Sequence, residues 1–210
     1  MKKYLQIAIL FSLLAVFIFS GCSLLIFKDK DNLSSWHSEL TEGAVFNYYV
    51  ILYKDGNTID TKTYTMTVED VLEENGLIIN RIYGSDYGYT YLIYDNENGQ
   101  AAFTADINDK VINTTTDNII LETPVEVGNT WISTNDWDCE ILSIDTHQDV
   151  DAGVYSDIIE VKSVTEDENG DVTEWAYMSQ SLGLMVVYRR TDWTDNGSNY
   201  SMHEELVNVE

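Results

Sequence analysis

Residues 59–68 read Ile-Asp-Thr-Lys-Thr-Tyr-Thr-Met-Thr-Val, a strict alternation that decides the fold class of the chain. Successive side chains of a strand point to opposite faces. Ile59, Thr61, Thr63, Thr65 and Thr67 therefore share one face, and Tyr64, Met66 and Val68 share the other. A row of threonines backed by a row of large apolar side chains describes a strand that is wet on one side and packed on the other. Just upstream, residues 44–53 read Ala-Val-Phe-Asn-Tyr-Tyr-Val-Ile-Leu-Tyr, rich in aromatic and β-branched side chains, and Asp55-Gly56-Asn57 joins the two runs as a hairpin turn.

The same pattern continues to the C-terminus. Strands are expected at Leu77–Tyr83, Tyr87–Tyr94, Ala101–Ala105, Asn118–Glu122, Cys139–Asp145, Ser156–Thr165, Val172–Tyr177, Leu184–Arg190 and Tyr200–Val207. Asn96-Glu-Asn-Gly99 and Glu168-Asn-Gly-Asp171 are the clearest further turns, because Asn and Gly tolerate the positive φ of tight hairpins. Val68–Glu74, with apolar residues at Val68, Val71 and Leu72, reads as a short helix. Short strands at such regular spacing predict an all-β fold: a single antiparallel domain, built as a curved sheet or half-open β-barrel.

Composition narrows the class. The chain carries 36 Asp and Glu against 11 Lys and Arg, a net charge of −25. A field of that sign repels phosphate backbones, which argues against nucleic acid as a partner. The 14 tyrosines and 5 tryptophans supply the apolar surface that a disordered acidic chain lacks.

The N-terminus carries a different signal. Lys2 and Lys3 precede an apolar run from Leu5 to Phe19, and small residues lead into Cys22. This layout resembles a bacterial lipoprotein signal peptide, whose lipobox falls on Phe19-Ser20-Gly21-Cys22. The resemblance implies cleavage before Cys22 and acylation of that cysteine, with no cofactor and an extracytoplasmic location in the cell envelope. The alternative is an uncleaved membrane helix over Tyr4–Phe27, and either reading holds the lysines inside and residues 28–210 outside. The expected organisation is a signal peptide at 1–21, a lipidated tether at 22–43 with a helical turn near Leu33–Leu40, and a β domain at 44–210. The protein then meets the membrane through its acyl chains.

Residues 121–190 carry a further cadence: Thr123-Pro-Val-Glu-Val-Gly-Asn-Thr-Trp131, Asp151-Ala-Gly-Val-Tyr-Ser-Asp-Ile-Ile-Glu-Val161, and Trp175-Ala-Tyr-Met-Ser-Gln-Ser-Leu-Gly-Leu-Met-Val-Val187. It resembles a loosely defined group of envelope β-proteins, with a departure at Met178–Ser181, and Leu40–Phe46 is a weaker copy of its first motif. The resemblance implies a half-open barrel related in shape to lipoprotein-carrier folds. It implies no chemistry.

Nothing in the chain spells out a catalytic centre. There is no Gly-x-Ser-x-Gly elbow, phosphate loop, dinucleotide fingerprint or His-Glu-x-x-His helix. His37, His147 and His203 stand apart and are expected at solvated loop or edge positions, and Asp192–Asn196 imitates only the first half of a calcium loop. With Cys22 lipidated, Cys139 is the remaining thiol, and its acidic neighbours predict a packed residue rather than a nucleophile. The chain is therefore expected not to be an enzyme. The candidate ligand-binding residues are aromatic: Trp131, Tyr155 and Trp175, together with Tyr87, Tyr89 and Tyr91 along one strand side. The leading expectation is a non-catalytic module that binds or carries an apolar or amphipathic ligand, a lipid or a peptide. A structural or protein-interaction role and a hydrolase with an unrecognised site stand as alternatives.

Overall fold

The computed structural model describes residues 29–105, 112, 117–167 and 170–210. Twelve strands follow in chain order: β1 (Val45–Lys54), β2 (Asn57–Glu74), β3 (Leu77–Gly84), β4 (Gly88–Asp95), β5 (Gln100–Thr104), β6 (Asn118–Glu122), β7 (Thr130–Ser133), β8 (Trp137–Val150), β9 (Gly153–Asp167), β10 (Gly170–Ser179), β11 (Met185–Asp195) and β12 (Ser198–Val209). They form one antiparallel sheet in the order β6-β5-β4-β3-β2-β1-β12-β11-β10-β9-β8-β7. The chain is thus two six-stranded meanders joined by the pairing of its first and last strands.

The sheet curls into a nearly closed barrel. Its edges, β6 and β7, do not share a ladder and are joined mainly through side chains. The Trp131 indole N–H donates to the Ile119 carbonyl at 3.0 Å, and the Ser133 hydroxyl donates to Asn118 Oδ1 at 3.0 Å. Thr134 Oγ1 adds a bond to the Asp117 carbonyl. Two unpaired strand edges are thereby covered.

The two meanders open in the same way. Gly43 and Gly128 have φ of +86° and +87°, a conformation that glycine adopts at no steric cost. Each glycine donates its N–H to a residue of the next strand, Gly43 to Val68 O at 2.7 Å and Gly128 to Ile141 O at 2.8 Å. Val68 and Ile141 donate back to Ala44 and Asn129, and each turn delivers a buried aromatic three residues on, Phe46 or Trp131. The weaker copy at Leu40–Phe46 is a structural repeat.

Hairpins alternate between the two barrel ends, since every neighbouring pair is antiparallel. Residues 29–43, read from sequence as a tether, pack Leu33, Trp36 and Leu40 into the end that holds the β4–β5 and β10–β11 turns. Ser38 N–H bonds Gln180 O at 2.8 Å, and the His37 ring stacks on Tyr94 at 3.8 Å. The only helical geometry in this segment is a 3₁₀ turn over Leu33–Ser35.

Three local expectations need correction. Val68–Glu74 is not a helix: it continues β2 past a bulge between Val68 and Asp70, because β3 offers its backbone a partner along that whole length. Thr130–Ser133 forms β7, too short to register as a strand by periodicity. His37 and His203 are partly buried ring partners rather than free solvated side chains.

Candidate functional site

Inward-facing residues follow from strand register. One level runs Lys62, Val50, Glu204, Arg189, Ala176 and Val161 across directly opposed positions of β2, β1, β12, β11, β10 and β9. The next level toward the open end runs Met202, Thr191, Glu174, Ser163, Cys139 and Trp131. Below both, Leu33, Trp36, Phe46 and Leu206 fill the barrel with packed side chains. Above that plug the described residues enclose a lumen.

The lumen has two lobes that share Thr90, Phe103, Asn118 and Arg189. The first, about 360 Å³, is walled by tyrosine and methionine: Tyr48, Tyr64 and Tyr87 with Met66, Met185 and Met202. Tyr48 is fully buried, donates its hydroxyl to Val186 O at 3.0 Å, and stacks on Tyr64 at 4.9 Å. Tyr87 meets Tyr64 edge-on at 5.2 Å, and Lys62, tied to Asp86 at 3.1 Å, lies over both rings. The second lobe, about 400 Å³, is more polar and includes Thr104, Thr134, Ser163 and Glu174 beside Trp137 and Cys139.

Arg189 stands where the lobes meet. Its guanidinium lies 3.8 Å from Glu174 and 4.0 Å from Glu204, close enough to pair in charge but not to hydrogen-bond, and its Nε has no partner. Desolvation opposes the charge, but the two carboxylates outweigh it and raise the Arg189 pKa above its ordinary value. Burial pushes the Cys139 thiol up despite a hydrogen bond from Ser163, so it is held protonated and unreactive at neutral pH.

The sequence-derived candidates are dispersed. Tyr87 sits at the lumen mouth, Trp131 in the β6–β7 seam, and Tyr155 is partly buried against the core. Tyr89 and Tyr91 face outward, Tyr89 against Tyr83 at 5.3 Å and Tyr91 on a small cluster with Leu77, Ile79 and Ile93. Trp175 is also outside, beside Arg190. Cys22 lies outside the described residues. Sequence reading missed Arg189, Glu204 and the three methionines. Their signal was there: Arg189 and Glu204 occupy apolar-row positions, in register with Val187 and Leu206.

A Ser-His-Asp grouping does occur on the outer face, but in an order unlike a catalytic triad. Tyr188 OH lies 3.1 Å from His203 Nδ1, His203 Nε2 lies 3.0 Å from Ser201 Oγ, and Ser201 donates to Asp192 at 2.6 Å. The serine proton is committed to the carboxylate, so the histidine has none to remove. Among the described residues no three His, Cys, Asp or Glu side chains gather as a metal site.

No family model matches the chain, and no curated protein does. Solved structures resemble it to different degrees. A protein from Bacteroides fragilis assigned as exported, with a YmcC-like fold, superposes with a TM-score of 0.51 at 10% identity, over 83% of this chain and 99% of that one. A protein of Parabacteroides distasonis assigned as a lipoprotein gives 0.45 at 15% identity, over 81% and 96%. A LolA superfamily protein from Nitrosomonas europaea gives 0.30 at 9%, over 87% and 90%. The first of these has the overall barrel in common with this chain.

Proposed function

We propose that this chain is a non-catalytic lipoprotein of the bacterial cell envelope, anchored through acylated Cys22, whose barrel lumen holds an apolar or amphipathic ligand. The observation that carries the reading is the two-lobed lumen that the described residues line above a plugged end. One lobe offers adaptable methionines and tyrosine rings to an apolar chain. The other offers hydroxyls and the Arg189 centre to a polar end.

Protein extracted from its own envelope tests both halves. Mass spectrometry is expected to find an acylated N-terminal peptide beginning at Cys22, and an unmodified peptide retaining Met1 would refute the anchor. Native mass spectrometry is expected to show a co-purifying small molecule, lost when Met202→Trp fills the lumen. An empty lumen that also fails to take up added monoacylglycerol or fatty acid would refute the carrier reading.

A further inference from the structure

Apart from the lumen, the described residues form an open groove of about 620 Å³ on the outer face, where β10, β11, β12 and the β1–β2 turn meet. Its floor is set by register: Thr173, Asp192, Ser201 and Tyr53 lie directly opposed on neighbouring strands, and Trp175, Arg190 and His203 form the adjoining row. Trp193 and Tyr200, stacked at 5.3 Å, line its end. We propose that this groove is a second binding site, for an uncharged saccharide.

The polar groups of the floor are held in place before any ligand arrives. Arg190 gives Asp192 two hydrogen bonds, at 3.0 and 2.6 Å, and Ser201 adds a third at 2.6 Å. His203 closes the chain between Ser201 and Tyr188. Planar, fixed donors and acceptors suit vicinal hydroxyls, and little ordering remains to be done on binding. Around them the rings of Tyr53 and Trp175 are only half-buried, on a face that solubility alone would make polar. A sugar ring matches both features, with a C–H face for the aromatics and equatorial hydroxyls for the network.

Other ligand classes fit less well. Arg190 is neutralised by Asp192, Asp171 adds a further negative charge, and the chain carries −25 overall, so an anion meets repulsion. A purely apolar chain would strip water from Asp192 and Ser201 and return no hydrogen bonds. A peptide cannot add as a strand, because β1, β10, β11 and β12 are each paired on both sides.

The test uses the full chain in a sugar-free zwitterionic detergent, titrated with chitohexaose, cellohexaose and maltohexaose and followed by tryptophan fluorescence and saturation-transfer NMR. Saturable binding of at least one hexasaccharide is expected, weakened tenfold or more by Trp175→Ala and by Asp192→Asn with circular dichroism unchanged. Tyr53→Ala replaces either variant that fails to fold and should weaken binding likewise. Absence of saturable binding by all three, equal or tighter binding of an anionic oligogalacturonate, or binding indifferent to these substitutions would overturn the proposal. Occupancy of the lumen is read separately, so either site can fail alone.

Discussion

Trp131 of β7 donates its indole N–H to the carbonyl of Ile119 on β6 at 3.0 Å, tying together strands at opposite edges of a twelve-stranded sheet. The ring is buried and lies inward, level with Cys139 and Ser163. Its role is closure of the barrel, and the lumen depends on it.

Trp131→Phe should cost about 1–3 kcal/mol, since it keeps most of the packing but leaves the Ile119 carbonyl unpaired. Trp131→Ala should cost about 3–5 kcal/mol, as for other large aromatic truncations in a core. Urea unfolding of the two variants measures both. A Trp131→Phe variant as stable as the parent would show that the hydrogen bond across the seam contributes nothing.

Gly43→Ala and Gly128→Ala should destabilise the protein by similar amounts, about 1–2 kcal/mol each, because both hold the same left-handed turn. A Cβ at either position meets no atom within 4 Å, so the cost is one of backbone conformation rather than crowding. Thermal unfolding of the two single variants tests the equivalence of the two meander starts.

Arg189→Met leaves Glu174 and Glu204 facing the lumen without their cation. The expected loss is about 2–3 kcal/mol, below the ~3–5 kcal/mol of a fully enclosed pair because the cavity admits water. Adding Glu174→Gln and Glu204→Gln should restore most of it. Denaturant midpoints of the single and triple variants decide the point, and a triple variant no better than the single would refute this account of Arg189.

Asp157 ties the β10–β11 turn to β9, accepting from Ser181 N–H at 2.6 Å and from Ser179 Oγ at 3.1 Å. Burial works against its charge, but the hydrogen bonds from Ser181 and Ser179 prevail and hold the carboxyl below the usual carboxylate range. A depressed folded pKa contributes stability above the unfolded value of ~3.9 and loses it as pH falls through the folded value. Asp157→Asn should therefore be less stable than the parent at pH 7 and converge with it in strong acid. A difference that persists unchanged from pH 7 to pH 2 would contradict the assignment.

The reading of strands from sequence succeeded where alternation was two-toned. In β2 the threonines face out, while Tyr64 and Val68 are buried and Met66 lines the lumen, because a half-wet strand must separate the two kinds of side chain. It failed at Val68–Glu74, where the pattern blurs into a helical spacing, and at β7, which is four residues long. Site residues were harder to find for a related reason. Aromatic side chains suit a core, a lumen and an outer groove alike, so spacing could not assign Tyr87, Tyr89 and Trp175 to different places.

Sequence by itself determined that the chain is a run of antiparallel strands, placed hairpin turns at Asp55–Asn57 and Asn96–Gly99, and offered Leu40–Phe46 as a weaker copy of the segment around Gly128. These are local matters, set by φ preferences and a period of two within a few residues. The tertiary structure alone decided that β1 pairs with β12, that Trp131 reaches Ile119 across the seam, and that Arg189 stands between Glu174 and Glu204 in the lumen. Those relationships join residues far apart in the chain. They depend on register and curvature summed over twelve strands, and a bulge or a one-residue slip in any of them would turn a different row of side chains inward.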